Sequence, residues 1–117
     1  MFYYLDTESQ IKRISKTVDL LADESNRVNQ SGLLIDFTDG TLYKNLLDND
    51  IGEFIKRKEA FTITLNTDGI SLSDNSTMSI WPVYGVINEI KPQERFCINN
   101  VIIIGIYLLS FYYTFRN

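Results

Sequence analysis

A single acidic residue, Asp68, interrupts the most regular pattern in the sequence. Residues 61–66 alternate between apolar and polar side chains with period two, which predicts a half-buried β-strand. After Asp68-Gly69 the apolar positions move from odd to even residue numbers, as at Ile70 and Leu72. One extra residue in the strand, a β-bulge at Gly69, would produce that change. The alternative interpretation is a hairpin, because Asp-Gly is a common pair in two-residue type I′ turns.

Two roles are open to the Asp68 carboxylate: a turn residue, or a ligand that a rigid strand presents to a divalent cation. Hard cations such as Mg²⁺ prefer oxygen ligands and often bind through one or two carboxylates. The chain has no His and one Cys, Cys97. This composition excludes Cys/His zinc sites and Ser-His-Asp or Cys-His nucleophile arrangements within one chain. We interpret Cys97 as a small, partly buried apolar residue.

Four further acidic residues lie close together in the sequence, at Asp36, Asp39, Asp48 and Asp50. Their number suggests a metal-binding loop, but they lack the regular spacing of a calcium loop. We therefore predict that they are solvated caps and turns.

The charge balance of the chain is acidic, with a formal net charge of −4 and a pI of about 4.7. A module that binds duplex DNA through its phosphates is expected to be basic instead. The short basic run at residues 56–58 is either a solvated linker or a local phosphate contact. We therefore expect that the chain does not bind DNA by itself, although it could be the catalytic part of something larger.

A series of short motifs runs through the chain in a fixed order. From residue 66 onward they are Asn66-Thr67-Asp68-Gly69, Ser76, Ser79, Trp81-Pro82, Ile87-Asn88-Glu89, Pro92, Arg95-Phe96 and Gly105. In this order and spacing they resemble the start of the transposase domain of CACTA-type (En/Spm-like) DNA transposons. The upstream motifs Ile35-Asp36-Phe37-Thr38-Asp39-Gly40 and Leu42-Tyr43-Lys44 resemble the segment that precedes this domain in animal members.

The resemblance implies an RNase H-like fold whose first strand carries the first acidic residue of a catalytic triad. That position corresponds to Asp68, which is the catalytic and metal-binding candidate of this chain, in vestigial form. For the full-length family the resemblance also implies Mg²⁺, DNA as the partner and a nuclear location. Two-metal phosphoryl transfer requires at least two convergent carboxylates, and the second Asp and final Glu of the family are not found after Tyr107. We expect a truncated transposase-like protein that is inactive alone.

The predicted fold class is α+β, with a partial RNase H-like mixed sheet of three strands preceded by two helices. We divide the chain into a helical and loop accessory segment (1–58), the first half of the transposase-like domain (59–107) and a divergent apolar tail (108–117). The first helix has a capping box at Thr7 and Gln10. The other predicted elements are a short strand at 33–37, a helix at 41–47 and strands at 83–90 and 101–107.

The apolar run at residues 101–115 supports a different hypothesis. It spans 15 residues, whereas a membrane-spanning helix needs about 20. The alternative functions are therefore a small tail-anchored membrane protein, held through 101–115, and a domesticated binding module that keeps the sheet without catalysis.

Overall fold

The chain has the predicted α+β composition. The computed structural model describes residues 1–20, 34–72 and 77–110. Its strands are β1 (Phe2–Tyr4), β2 (Ile63–Thr67), β3 (Ile70–Ser71), β4 (Met78–Ile87) and β5 (Val101–Ser110). Its α-helices are α1 (Thr7–Thr17), α2 (Thr41–Leu47), α3 (Asp50–Lys56) and α4 (Pro92–Arg95), and short 3-10 turns cover Phe37–Asp39 and Ile98–Asn100.

The strands form one sheet in the order β1-β5-β4-β2, and β3 pairs with β4 on the same side as β2. All pairings among the described strands are antiparallel, whereas we predicted a mixed sheet. Strands β2, β4 and β5 lie side by side and make a meander, in which the short strand β3 continues the pairing of β2 with β4. Strand β1 was not predicted, because three aromatic residues are too few to show a period; it pairs with β5 at Gly105–Tyr107.

Helix α1 packs on one face of this sheet and forms the main core. Ile14 of α1 is buried against Ile87, Ile90 and Ile102. The helix begins at Thr7, but the predicted capping box of Thr7 and Gln10 is wrong. Asp6 is the N-cap, and its carboxylate accepts a hydrogen bond from the Ser9 amide. Because β1 and α1 share the sheet and core with β4 and β5, the predicted accessory segment contributes directly to the same packed unit.

The Gln10 side chain of α1 extends the pairing along the edge of β5 beyond strand β1. Beyond β1, the Leu5 amide donates to the carbonyl of Ile104. The Gln10 side chain then donates to the Ile103 carbonyl at 2.9 Å and accepts from the Ile103 amide at 2.9 Å. A side-chain amide thus takes the place that a further strand residue would occupy along the edge of β5.

The segment before the meander differs from its prediction. The described part of the predicted strand at 33–37 is not a strand, and the chain enters a 3-10 turn at Phe37. Helix α2 is confirmed, but Tyr43 is its buried residue and Leu42 is 86% exposed. Helix α3 was not predicted, since its Gly52 weakens the helical pattern. The structure shows why a glycine is needed there: a Cβ on residue 52 would lie 2.0 Å from the carbonyl oxygen of Leu47.

The interruption at Asp68-Gly69 is neither a hairpin turn nor a bulge. Thr67 pairs with Val83 and Ile70 with Ile80, so one antiparallel register runs through the gap without an extra residue. Asp68 therefore lies opposite Pro82, within β4. The Asn88 amide donates to Thr62, and because bonded pairs alternate in antiparallel strands, the even-numbered residues of β2 form the bonded pairs.

Pro82 explains the gap in the ladder. Residue 82 falls at a bonded position, but proline has no amide proton to donate to Asp68. The bulge lies elsewhere in the sheet. Val83 pairs with Gly105 and Tyr84 with Ile103, which leaves Ile104 of β5 as the extra residue.

The start of the apolar run at 101–115 forms strand β5, and this strand extends to Ser110, past the predicted end at Tyr107. Residues 111–117 lie outside the described residues. In the described ranges no helix is long and apolar enough to cross a membrane.

Candidate functional site

Asp68 is solvent-exposed in the gap between β2 and β3. By register its side chain lies on the same face of the sheet as Thr64 and Asn66, opposite to the face that packs against α1. Gly69 lies opposite Trp81, and a Cβ there would come within 2.6 Å of the indole ring. The glycine is therefore needed so that Trp81 can lie across the strand. Trp81 itself is 37% exposed.

The acidic motif residue nearest to Asp68 in the sequence, Glu89, does not converge on it. Glu89, the acidic residue that follows β4, binds Thr62 through both of its carboxylate oxygens. Thr62 and Asp68 are at opposite ends of β2, six residues or about 20 Å apart in an extended strand. A two-metal site holds its ions about 4 Å apart, so these two carboxylates cannot share one.

The other acidic residues named from the sequence have different environments. Asp48 and Asp50 are exposed at the end of α2 and the start of α3, as predicted. Asp39 is 7% exposed and accepts hydrogen bonds from the amides of Ile35 and Asp36, so the prediction of a solvated cap is wrong for it. Within the described ranges, no three Asp, Glu or Cys side chains are grouped closely enough to hold a metal ion.

The polar residues that the structure does bring together form a buried network, which we call the polar joint. Its members are Asp36, Tyr43, Thr62, Asn88, Glu89 and Arg95. Arg95 is 3% exposed. Its Nη1 donates to Asp36 Oδ1 at 2.5 Å and its Nη2 to Asp36 Oδ2 at 2.9 Å, which makes a bidentate pair. The same guanidinium also donates to the carbonyls of Asn88 and Ile90.

The second half of the polar joint surrounds Glu89, which is 7% exposed. Its Oε1 accepts from the Tyr43 hydroxyl at 3.0 Å and from the Thr62 hydroxyl at 2.8 Å, while its Oε2 accepts from the Thr62 amide at 2.8 Å. Asn88 is held on both sides, since it donates to Thr62 Oγ1 and accepts from Thr64 Oγ1. The joint thereby ties α2 and the segment before it to the start of β2 and the end of β4.

The groups of the polar joint have a structural role. Hydrogen bonds from Arg95, together with its charge, hold the pKa of the Asp36 carboxyl well below the ordinary value of 3.8. Asp36 is therefore ionised near neutral pH and is unsuited to act as a general acid. The Arg95 guanidinium is buried and occupied, so it cannot contact a phosphate. Among the described residues, each buried polar side-chain atom has a hydrogen-bond partner.

A groove lies beside the polar joint, on the sheet face opposite α1. One part is a cleft of about 340 Å³, and an adjoining cleft of about 240 Å³ shares Thr64, Val86 and Phe96 with it. Its rim is apolar and open to solvent, because Leu34 is 77% and Phe96 71% exposed. The groove could accommodate an apolar group with a few hydrogen-bonding atoms at its base.

The basic run at residues 56–58 ends α3 and begins the turn after it. Each of its side chains is within ion-pair distance of an acidic side chain: Lys56 with Glu53, Arg57 with Glu59 and Lys58 with Asp19. These pairs are exposed and weak, but they reduce the positive potential that a phosphate contact would need.

Sequence reasoning had included Asn88, Glu89 and Arg95 in the motif series without giving them a role in the fold. One local signal was available, since two polar residues that directly follow an apolar strand need partners when they are buried. Cys97 was predicted to be partly buried, but it is exposed.

Comparisons of the chain with models of protein families, with curated proteins and with solved structures gave no match. The resemblance to CACTA-type transposases therefore stays a prediction that depends on the order of its motifs.

Proposed function

We propose that this chain is a transposase-like protein derived from a DNA transposon, corresponding to the leading part of an RNase H-like strand-transfer domain. The observation that supports the proposal best is the antiparallel meander of β2, β4 and β5, with Asp68 directly after β2. The motif resemblance implies that the first strand of such a domain carries the first acidic residue, and Asp68 lies one residue beyond the end of β2.

In this proposal the chain alone does not cleave DNA. The acidic motif residue nearest to Asp68 in the sequence, Glu89, is held at the other end of β2, and no group of three acidic or cysteine side chains that could hold a metal ion occurs among the described residues. The metal-bound set of the proposed family is therefore not assembled from the described residues. Mg²⁺ and DNA would concern a full-length family member.

The origin of the chain can be tested by sequencing its transcript and the genomic DNA beyond the codon for Asn117. We expect an open frame that encodes a basic segment, a second Asp and a final Glu. A flanking region without any such frame would remove the support for a transposon origin.

The lack of catalysis can be tested separately with the purified chain, Mg²⁺ or Mn²⁺ and labelled duplex DNA. We expect no strand cleavage above background, and no difference between the wild type and Asp68→Ala. Cleavage by the wild type that is lost in Asp68→Ala would contradict the inactive assignment while supporting the family.

The groove favours a second candidate, a binding module that retains the sheet without catalysis. Its exposed apolar rim is unusual for a surface without a partner.

The binding-module candidate can be tested with the purified chain. We expect cooperative unfolding that is unchanged by EDTA, and binding of the dye ANS that is reduced in Phe96→Ser. Leu42→Ser is the control, because Leu42 is exposed on α2 and does not line the groove. Equal ANS binding by both variants would contradict a groove-specific surface.

A further inference from the structure

The outer edge of β2 is unpaired in the described part of the sheet, where β2 pairs with β4 alone. The even-numbered residues of β2 direct their backbone groups to β4, as established above. The amides and carbonyls of Ile63, Leu65 and Thr67 therefore point outward. Such an edge offers a regular series of donors and acceptors to another extended strand.

This edge lacks the features that usually prevent strand addition. Residues 60–67 contain no charged residue, proline or glycine. Natural edge strands are commonly protected by lysines, prolines, bulges or short length. By contrast, the opposite edge of the sheet is formed by β1, which has only three residues. Leu65 lies at the centre of β2, and its side chain is 60% exposed.

The sequence of β2 is complementary to itself in the antiparallel direction. When Leu65 is placed opposite Leu65 of a second copy, Ile63 lies opposite Thr67 and Thr64 opposite Asn66. All outward amides and carbonyls of the strand then meet partners, because odd-numbered residues face odd-numbered residues. The same parity keeps side chains of matching faces together, so the exposed leucines cover each other and the polar side chains align.

We propose that two copies of this chain associate through β2, edge to edge and antiparallel, to form one continuous sheet across a twofold axis at Leu65. The contact is isologous and uses the unprotected edge of both copies, so it closes at a dimer. This inference is independent of the chain's origin, since it depends only on the edge, its register and its side chains.

The oligomeric state can be measured by sedimentation equilibrium over a range of concentrations. We expect a monomer–dimer equilibrium, with the dimer weakened at least about tenfold in Leu65→Lys, because two like charges would then face each other at the axis. Leu42→Lys is the matched control, since it also replaces an exposed leucine but lies on α2; its dimerisation should equal that of the wild type.

The register can be tested by cross-linking in a Cys97→Ser background. Directly opposed Cα atoms in a bonded antiparallel pair are about 5.5 Å apart, within the range that a disulfide spans. We therefore expect Leu65→Cys to form a covalent dimer under mild oxidation. Thr64→Cys should react much more slowly, because its side chain lies on the other face and opposite Asn66.

Three results would overturn the proposal. The first is a monomer at all concentrations, which would leave the edge for a strand of a different protein. The second is a dimer that Leu65→Lys does not weaken. The third is equal cross-linking of the two cysteine variants. Circular dichroism of each variant establishes that the fold is retained before its association is compared.

Discussion

Arg95 is the residue through which the segment before α2 is most directly attached to the end of β4. Its guanidinium makes four hydrogen bonds, two of them to Asp36. Both side chains of this pair are nearly inaccessible, at 4% for Arg95 and 10% for Asp36. A buried ion pair adds little to stability relative to apolar replacements, but removal of one partner leaves an uncompensated charge.

Asp36→Ala should therefore be strongly destabilising, by about 3–5 kcal/mol. Arg95→Met should also be destabilising, because it removes the charged partner of the Asp36 carboxylate and the hydrogen bonds from Arg95 to two backbone carbonyls. The double variant should lose less than the sum of the two single losses, since the residues interact. Urea unfolding measures all three. Additive losses would show that the pair does not form. The exposed pair of Lys56 and Glu53 is the control and should show no measurable coupling.

The Asp36 carboxyl also predicts a dependence of stability on pH. Its pKa is lowered in the folded chain by Arg95, so the ionised form stabilises the fold at pH values above the unfolded pKa of about 3.9. This contribution should be lost progressively as the pH falls below about 4. The free energy of unfolding, measured from pH 7 to pH 3, should fall more steeply for the wild type than for Asp36→Asn. Parallel curves would contradict the assignment.

At the scale of elements, the edge of β5 is covered by two different structures in succession. Strand β1 pairs with Gly105–Tyr107, and the Gln10 side chain then binds both backbone groups of Ile103. Because β1 is short, the N-terminal segment depends on this additional attachment.

Gln10→Ala should lower the free energy of unfolding by about 0.5–1.5 kcal/mol, since two exposed hydrogen bonds to Ile103 and one to the Asp6 carbonyl are lost, and should speed hydrogen exchange at the Ile103 amide. Helix propensity changes little, because Gln and Ala are both good helix formers. Gln93→Ala is the control: no hydrogen bond from its side chain is described, and exchange at Ile103 should be unaffected. Unchanged exchange at Ile103 in Gln10→Ala would contradict the contact.

A second prediction at the scale of elements concerns Gly69, which lies in the gap between β2 and β3. Gly69→Ala would place a Cβ within 2.6 Å of the Trp81 ring and should cost about 1–3 kcal/mol through overpacking. Trp81 is the only tryptophan, so its fluorescence reports the displacement directly. In a Trp81→Leu background the same glycine substitution should cost much less. An equal cost in both backgrounds would mean that the constraint on Gly69 lies in the backbone.

At the scale of the whole molecule, local patterns predicted most elements but not their partners. The period of α1 and the apolar runs of β4 and β5 are present in the sequence, and the fold class followed from them. The interruption at Asp68 was also visible, but it was attributed to Gly69 because the decisive residue, Pro82, acts from the neighbouring strand. A missing amide proton in one strand cannot be connected to a gap in another until their register is known.

The candidate site was even harder to predict from the sequence than the pairing of the strands. Asp68 was singled out because it interrupts a pattern, and it stays a prediction as a vestigial catalytic residue. The polar joint was not foreseen, since Asp36 and Arg95 are 59 positions apart and each resembles an ordinary surface residue. Tyr43 is likewise buried, and its hydroxyl donates to Glu89, which is 46 positions away. Long-range pairing of polar groups is set by the tertiary fold, and a single sequence does not record it.

The extra residue at Ile104 has a consequence for how the chain length can change. Strands β4 and β5 pair on both sides of it, with Val83 opposite Gly105 and Tyr84 opposite Ile103. Deletion of Ile104 would join these two pairs without shifting the register of either flank. A deletion at a neighbouring paired position of β5 would instead turn every later side chain to the opposite face. Ile104 is thus a position whose deletion would keep the pairing of β5 with β4 in register, although the Leu5 amide on the other side of β5 would lose the carbonyl to which it donates.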